Sequence, residues 1–149
     1  MTQGKSCQES EILKIGVPKE PENENRVAIV PSSMKKLAKA GFEVLIEKGA
    51  GVLANYNDSD YEAAGAILAD REAVMSCPNI IAINFPGVEG ISEGTNLVCV
   101  ADPFRNPENV KQCMKGNITL MSMDMIPRRL SRAQSVSYTH LTLPTNHPV

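Results

Sequence analysis

Eight residues near the carboxyl end, "PRRLSRAQ" (Pro127 to Gln134), hold the densest set of groups able to do chemistry. Arg128, Arg129 and Arg132 each carry a planar guanidinium suited to two-pronged contact with phosphate or carboxylate. Ser131 adds a hydroxyl, and Gln134 presents a donor and an acceptor side by side, the complement of a carboxamide such as that of nicotinamide. The stretch follows an apolar run. By spacing alone it reads either as a ligand-positioning loop or as a solvated run of charge.

Rivals are few. Residues 1–135 contain no histidine, since His140 and His147 both stand in the tail. That removes histidine-based triads, most zinc sites and the commonest general base from the body of the chain. Gly49, Gly51 and Ala54 spell a formal G-x-G-x-x-A after a strand. They run into the turn sequence "NYNDSDY" rather than opening a helix, so a glycine-rich turn is expected there instead of a phosphate cradle. Arg26 could hold an anion, but an ion pair with Glu20, Glu22 or Glu24 is the expected use of it. Asp102 and Asp124 are isolated carboxylates with turn roles expected for both. The spacing of Cys7, Cys77, Cys99 and Cys113 fits neither a metal knuckle nor a disulfide framework, so reduced thiols are expected. No metal site and no catalytic side chain is assigned.

Composition sets the frame for these groups. The chain has 149 residues, enough for one domain with a real core. A net charge of −2 gives no basic footprint for nucleic acid. No apolar run approaches the roughly 20 residues of a membrane helix, and the polar "MTQGKSCQESE" lacks the apolar stretch of a signal peptide.

The elements that must position the candidates follow from periodicity. Strands are expected at residues 12–18, 42–47, 66–68, 79–86, 96–103 and 117–127. Between them, "PSSMKKLAKAGF" predicts a helix capped by Ser32 or Ser33, with Met34, Leu37 and Ala38 buried and Lys35, Lys36 and Lys39 solvated, ended by Gly41. "DSDYEAAGA" and "DREAVMS" predict short helices, the second capped by Asp70. "RNPENVKQCMKG" predicts another, with Asn106 as cap, Pro107 in the first turn and Val110, Cys113 and Met114 facing inward. Strands separated by short helices are βα units. The expected fold is α/β: an open, mostly parallel sheet with helices on both faces, Rossmann-like or flavodoxin-like. Ligands of such sheets gather at the carboxyl ends of strands, which singles out the loops after Pro18, Glu47 and Met125.

Two stretches carry a family resemblance. "KIGVPKEPENENRVAIVPSSMKKLAKAGFEVLIEKGAG", with "MDMIPRRLSRAQS" downstream, resembles the N-terminal part of the alpha subunit of proton-translocating NAD(P) transhydrogenase, and more distantly alanine dehydrogenase. The likeness covers about Leu13 to Ser135. It implies an NAD(H)-binding component that passes hydride to NADP(H) held on a partner component, coupled to proton translocation. It further implies membrane and NADP(H)-binding partner components, a homodimer in the full-length protein, and a cytoplasmic place at the inner membrane through those partners. In the matching loop, an arginine and a glutamine contact the nicotinamide nucleotide. Gln134 carries over directly, while the arginine maps to Arg128 or to Arg129, because this loop is one residue longer than the family pattern. Ser131 and Arg132 complete the candidate cofactor-binding set.

Departures from the pattern also speak. Alanine dehydrogenases carry a substrate lysine after the strand matching "NIIAINFP" and a histidine near "VADPF"; this chain has neither, which argues against amino-acid dehydrogenation. Beyond "SRAQS" the family continues with methionine and aspartate, where this chain has Val136 and Ser137. "VSYTHLTLPTNHPV" has no periodicity and looks like translated sequencing-library adapter. The expected organisation is a polar extension at residues 1–11, the domain at 12–135 and an artefactual tail at 136–149, without the second NAD-binding domain. Such a fragment would bind NAD(H) poorly and be inactive alone. The alternatives are an alanine-dehydrogenase-like fragment and a non-catalytic binding domain.

Overall fold

Runs rich in Ile and Val alternate with helix-forming segments, and the two together build six strands and four helices across residues 13–127, the part that this computed structural model describes. In chain order these are β1 (Leu13–Val17), α1 (Pro31–Lys39), β2 (Phe42–Glu47), α2 (Asp58–Ala63), β3 (Ile67–Ala69) and α3 (Arg71–Met75). Then come β4 (Asn79–Asn84), β5 (Asn96–Val100), α4 (Pro107–Lys115) and β6 (Thr119–Ser122). Single 3-10 turns occupy Val52–Ala54 and Met123–Met125. All pairings are parallel, in the order β3-β2-β1-β4-β5-β6. Of the two orders expected, this is the Rossmann one.

Side chains alternate across a strand, so the sheet has two separate cores. On one face Ile15, Val17, Val44 and Ile46 pack beneath Met34 of α1 and Tyr61 of α2. On the other, Ile80, Ala82, Leu97 and Cys99 pack with Met75 of α3 and Cys113 of α4. Gly16 faces this second side, where a Cβ would run into the backbone carbonyl of Val74 in α3. Cys77, Cys99 and Cys113 are free and buried.

Several local expectations are corrected. Helix α1 begins at Pro31, not after a serine cap: Val30 holds the cap position and no side chain bonds there. Proline suits the first turn because its φ is preset and its missing N–H is not needed. Met34 is buried, but Ala38 is exposed, since a helix of nine residues lays only one narrow stripe on the sheet. Asp70 and Asn106 hold cap positions without side-chain cap bonds. The Asp70 carboxylate instead accepts from Lys48 Nζ at 3.1 Å. Met114 is 75% exposed, so α4 turns Cys113 inward without it. The last strand is four residues long, and the 3-10 turn that follows takes Met123 to Met125 out of the sheet. β2, by contrast, has the bounds that its apolar run predicts.

Tyr61 anchors the first core. It has no exposed surface, and its hydroxyl donates to the Ile29 carbonyl at 2.9 Å. Burial, aided by Tyr56, Asp58 and Asp60, pushes its phenol from 10.0 up to about 12. The folded form therefore holds this proton more tightly than the unfolded form, and that stabilisation is complete below pH 10 and lost as pH rises towards 12. Burial pushes the Cys99 thiol from 9.0 to about 12 as well, which extends the alkaline loss downwards. Tyr61→Phe is expected to cost about 1 kcal/mol at pH 7 through the unpartnered Ile29 carbonyl, and to flatten part of the stability decline above pH 10. Urea unfolding at pH 7 and pH 11 reads both effects; an unchanged pH dependence contradicts the assignment.

Candidate functional site

In an open parallel sheet the crevice forms where neighbouring strands send their connections opposite ways, here between β1 and β4. These strands share only two register pairs, Ile15↔Asn79 and Gly16↔Ile80, so their carboxyl ends splay. A cavity of about 290 Å³ opens there. Its walls are the loop Pro18–Pro21 after β1 and Asn84–Pro86 at the end of β4, with Glu47 and Arg71 at the side. That volume lies at the lower edge of small-ligand pockets: it suits one ring with a polar substituent, not a whole dinucleotide.

Glu20 ties the two walls together. The residue is only 7% exposed, and its carboxylate accepts from the Ile83 N–H at 2.6 Å, the Asn84 N–H at 3.1 Å and Asn84 Nδ2 at 3.2 Å. These amides fall where the β4–β5 register shifts between Ile81 and Asn84. The irregularity frees the donors from the ladder, and the buried carboxylate satisfies them.

Glu24 closes the same loop on itself. It accepts from Arg26 Nε and Nη2, both at 2.8 Å, from the Arg26 N–H at 3.0 Å and from Asn84 Nδ2 at 3.3 Å. The bonds from Arg26 hold the Glu24 carboxyl well below its ordinary range, at about 2. Arg26 is thus committed to an ion pair, with Glu24 as the partner among the three acids expected. Arg26→Ala is expected to raise the Glu24 titration towards the ordinary carboxylate range of about 4, with the backbone N–H of residue 26 and the Asn84 amide keeping part of the shift. Any stabilisation from the pair is present above pH 4.5 and lost as pH falls to about 2. Carbon-detected NMR titration of Glu24 checks the shift; a midpoint still near 2 in the variant contradicts it.

Arg71 spans the mouth. Its Nη1 lies 3.2 Å from Glu47 Oε2, and its Nη2 donates to the Pro86 carbonyl at 3.4 Å. Glu47 is fixed from the other side by the Lys19 N–H at 2.6 Å. The guanidinium has five N–H donors, so some remain for an oxygen entering the crevice.

The Gly49–Ala54 stretch is a turn followed by a 3-10 turn. The Gly49 N–H, which a phosphate would need, already donates to Asp58 Oδ1 at 2.9 Å. A Cβ on Gly51 would lie 2.6 Å from the Tyr61 ring, so this glycine serves close packing. Asp102 adopts φ 45° in a turn whose carbonyl accepts from Arg105 and Asn106, and Asp124 accepts from the Ser122 hydroxyl. Among the described residues no group of three or more His, Cys, Asp or Glu side chains is placed to hold a metal, and no helix is long and apolar enough to cross a membrane.

Two of the three loops singled out in the sequence, after Pro18 and Glu47, do meet at the crevice. The loop after Met125 does not line it within the described residues. Arg128, Arg129, Ser131, Arg132 and Gln134 all lie outside the described residues, as do residues 136–149. The sequence reading missed the tying role of Glu20 and passed over Asn84 and Arg71 altogether. Only the strand order, which makes β1 and β4 neighbours, marks them out.

The comparisons with known proteins agree with this geometry. Residues 16–140 match the family described as "Alanine dehydrogenase/PNT, N-terminal domain", a span that runs five residues past the boundary expected at Ser135. The NAD(P) transhydrogenase subunit alpha of Haemophilus influenzae is 36% identical over 128 residues, covering 83% of this chain and 25% of that protein. An NAD(P) transhydrogenase subunit alpha polypeptide of Rhodospirillum rubrum is 38% identical over 135 residues, covering 83% of this chain and 35% of that one. The crystal structure of transhydrogenase from Sinorhizobium meliloti superposes with a TM-score of 0.77 at 32% identity, over 82% of this chain and 38% of its own. The chain thus spans about a quarter to a third of the curated relatives' length. With its parallel sheet, its switch-point crevice and a match across residues 16–140, the chain belongs to the alanine dehydrogenase/transhydrogenase N-terminal domain family.

Proposed function

We propose that this chain supplies the N-terminal half of the NAD(H) site of a proton-translocating NAD(P) transhydrogenase alpha subunit. The nicotinamides themselves supply the hydride chemistry when bound, one giving and the other accepting, so no side chain needs to act as nucleophile or base. The chain's residues orient and enclose. The β1 and β4 loops, tied by Glu20, form one wall of a ring-sized crevice. Arg128 or Arg129, with Ser131 and Arg132, bears on the nucleotide, and Gln134 pairs with the carboxamide. The chain leaves β6 two strands from β4, about 10 Å away, a distance that an eight-residue loop spans easily. The cavity cannot take a pyrophosphate as well, and the Gly49–Ala54 turn is not a cradle, so the rest of the dinucleotide site falls to a second domain of the complete subunit. On this reading NADP(H) sits on a partner component, the full-length subunit is a homodimer, and the assembly stands at the cytoplasmic side of an inner membrane. The 149-residue chain alone is inactive.

The observation that carries this over the alanine-dehydrogenase reading is Asn84. It ends β4, the strand after which that enzyme class has a substrate lysine that this chain lacks, and it gives its amide to Glu20 and Glu24. A neutral, doubly committed side chain there offers nothing to an amino-acid carboxylate. The test joins residues 12–135 to the remaining two thirds of the Rhodospirillum rubrum relative and assays two reactions. The expected result is hydride transfer from NADH to an NADP⁺ analogue on added partner components, with no NAD⁺-dependent oxidation of alanine. Alanine oxidation without transhydrogenation reverses the assignment.

A further inference from the structure

The hydrogen-bonding groups of the crevice are unevenly engaged. Its carboxylates are taken: Glu20 accepts from two backbone N–H groups and the Asn84 amide, and Glu47 accepts from the Lys19 N–H and from Arg71. Its cations are not. Arg71 directs Nη1 to Glu47 and Nη2 to the Pro86 carbonyl, which leaves Nε and the second hydrogen of each Nη without an acceptor among the described residues. Lys19 lines the same space, and its ammonium has no carboxylate partner among the described residues. Formal charge on the lining is nevertheless balanced, Glu20 and Glu47 against Lys19 and Arg71. The crevice therefore asks for a neutral group that brings an acceptor oxygen. Its flat apolar walls, Pro18, Phe85 and Pro86, ask for that group on a ring.

We propose that Arg71 holds the carbonyl oxygen of the nicotinamide carboxamide in this crevice, leaving the carboxamide amino group to the side-chain oxygen of Gln134; this rests on the transhydrogenase reading. Arg71 is fitted for the task by its anchoring. Glu47 and Pro86 fix its guanidinium from two sides, so little side-chain freedom is lost when an oxygen arrives. Lys19 has only a compact charge on a flexible stem. Packing explains how Arg71 comes to the mouth. Gly16 lacks the Cβ that would strike the Val74 carbonyl, so α3 lies tight against β1 and its first residue reaches the crevice. Two contacts matter more than one here. A carboxamide held only by its amino group leaves the ring free to turn about that bond. Held at both ends, it presents one fixed ring face to the second nicotinamide, which hydride transfer requires.

Because the crevice lies within the described residues, the ring alone can be tested on the 149-residue chain. Three probes are titrated separately to about 50 mM, since a molecule of this size binds in the millimolar range at best. They are nicotinamide, thionicotinamide, whose sulfur accepts only weakly, and 3-acetylpyridine, which keeps the oxygen but lacks the amino group. NMR signals of the Ile83 and Asn84 amides and of Arg71 Nε are expected to shift saturably with nicotinamide and 3-acetylpyridine, while those of Cys113 and Leu120 stay still. Thionicotinamide should bind at least about fivefold more weakly than nicotinamide. R71M should weaken nicotinamide by about the same factor and leave thionicotinamide unchanged, R71K should restore part of the loss, and K19M should change nothing. Equal binding of nicotinamide and thionicotinamide overturns the proposal. So does an R71M loss shared equally by all three probes, which would make Arg71 a structural residue, or a loss in K19M without one in R71M. Absence of a saturable shift with any probe overturns it as well. Hydride transfer by the joined protein is read separately, so its persistence beside failed ring titrations would remove the Arg71 contact and leave the transhydrogenase reading standing.

Discussion

Gly16→Ala is expected to lower the melting temperature by about 10 °C, the largest effect of any single methyl added to this sheet. The reason is local. Gly16 sits in the middle of β1 with Ile80 of β4 as its register partner, on the face where α3 lies closest. A Cβ there meets the Val74 carbonyl and, at 3.1 Å, the Cys77 Cβ. Neither is the loose end of a flexible side chain. α3 has five residues and is held between β3 and β4 by short links, so it cannot retreat without disturbing Met75 and Val74, both buried. Overpacking of this kind costs about 2–3 kcal/mol, which at roughly 4 °C per kcal/mol for a domain of this size gives the stated shift. Differential scanning calorimetry of the variant decides it; a melting point within 2 °C of the parent would mean that α3 yields where the packing says it cannot.

The second large effect is expected at Glu20. Glu20→Ala removes the acceptor for the Ile83 and Asn84 backbone N–H groups and for the Asn84 amide in one step. Unmet buried donors cost about 1–3 kcal/mol each, and water entering the widened crevice will recover part of that, so a net loss of about 3 kcal/mol is expected. Glu20→Gln keeps the volume and one acceptor oxygen and should lose about half as much. The distinguishing readout is amide exchange: Ile83 and Asn84 should exchange much faster in the alanine variant, while Val44 and Ile46 in the distant half of the sheet keep their protection. Uniform acceleration would make Glu20 a general stabiliser rather than the tie between the crevice walls.

The two residues show where sequence legibility begins and ends. Apolar runs found all six strands, because a parallel sheet buried on both faces writes itself as short blocks of Ile, Val and Leu. Helix ends were harder. Ser32 and Asn106 have the chemistry of caps, yet Pro31 starts one helix and no side chain caps either, since the preset φ of proline suffices. Met114 matches the helical stripe but is exposed, while Cys113 beside it is the residue that α4 buries. At the site, the sequence marked two of the loops, after β1 and β2, because both end apolar strands. It could not mark Glu20 as a tie: an acid in "PKEP" is indistinguishable from a solvated one until β4 is known to lie beside β1. The same holds for Asn84 and Arg71, whose partners are distant along the chain. The "PRRLSRAQ" loop presents the opposite case, legible as chemistry through its residue types and family pattern, and lying beyond the described residues.

That loop is where the functional reading is most exposed to test. In residues 12–135 joined to the remainder of the Rhodospirillum rubrum subunit, Gln134→Ala is to be compared with the parent by stopped-flow hydride transfer and by equilibrium NADH binding. A side chain that orients the carboxamide acts mainly on the reacting geometry, so transfer should slow by about 100-fold while NADH affinity changes less than about threefold. Affinity falling by the larger factor with transfer at saturation unchanged would contradict an orienting role for Gln134, and with it the central claim that this loop positions a nicotinamide.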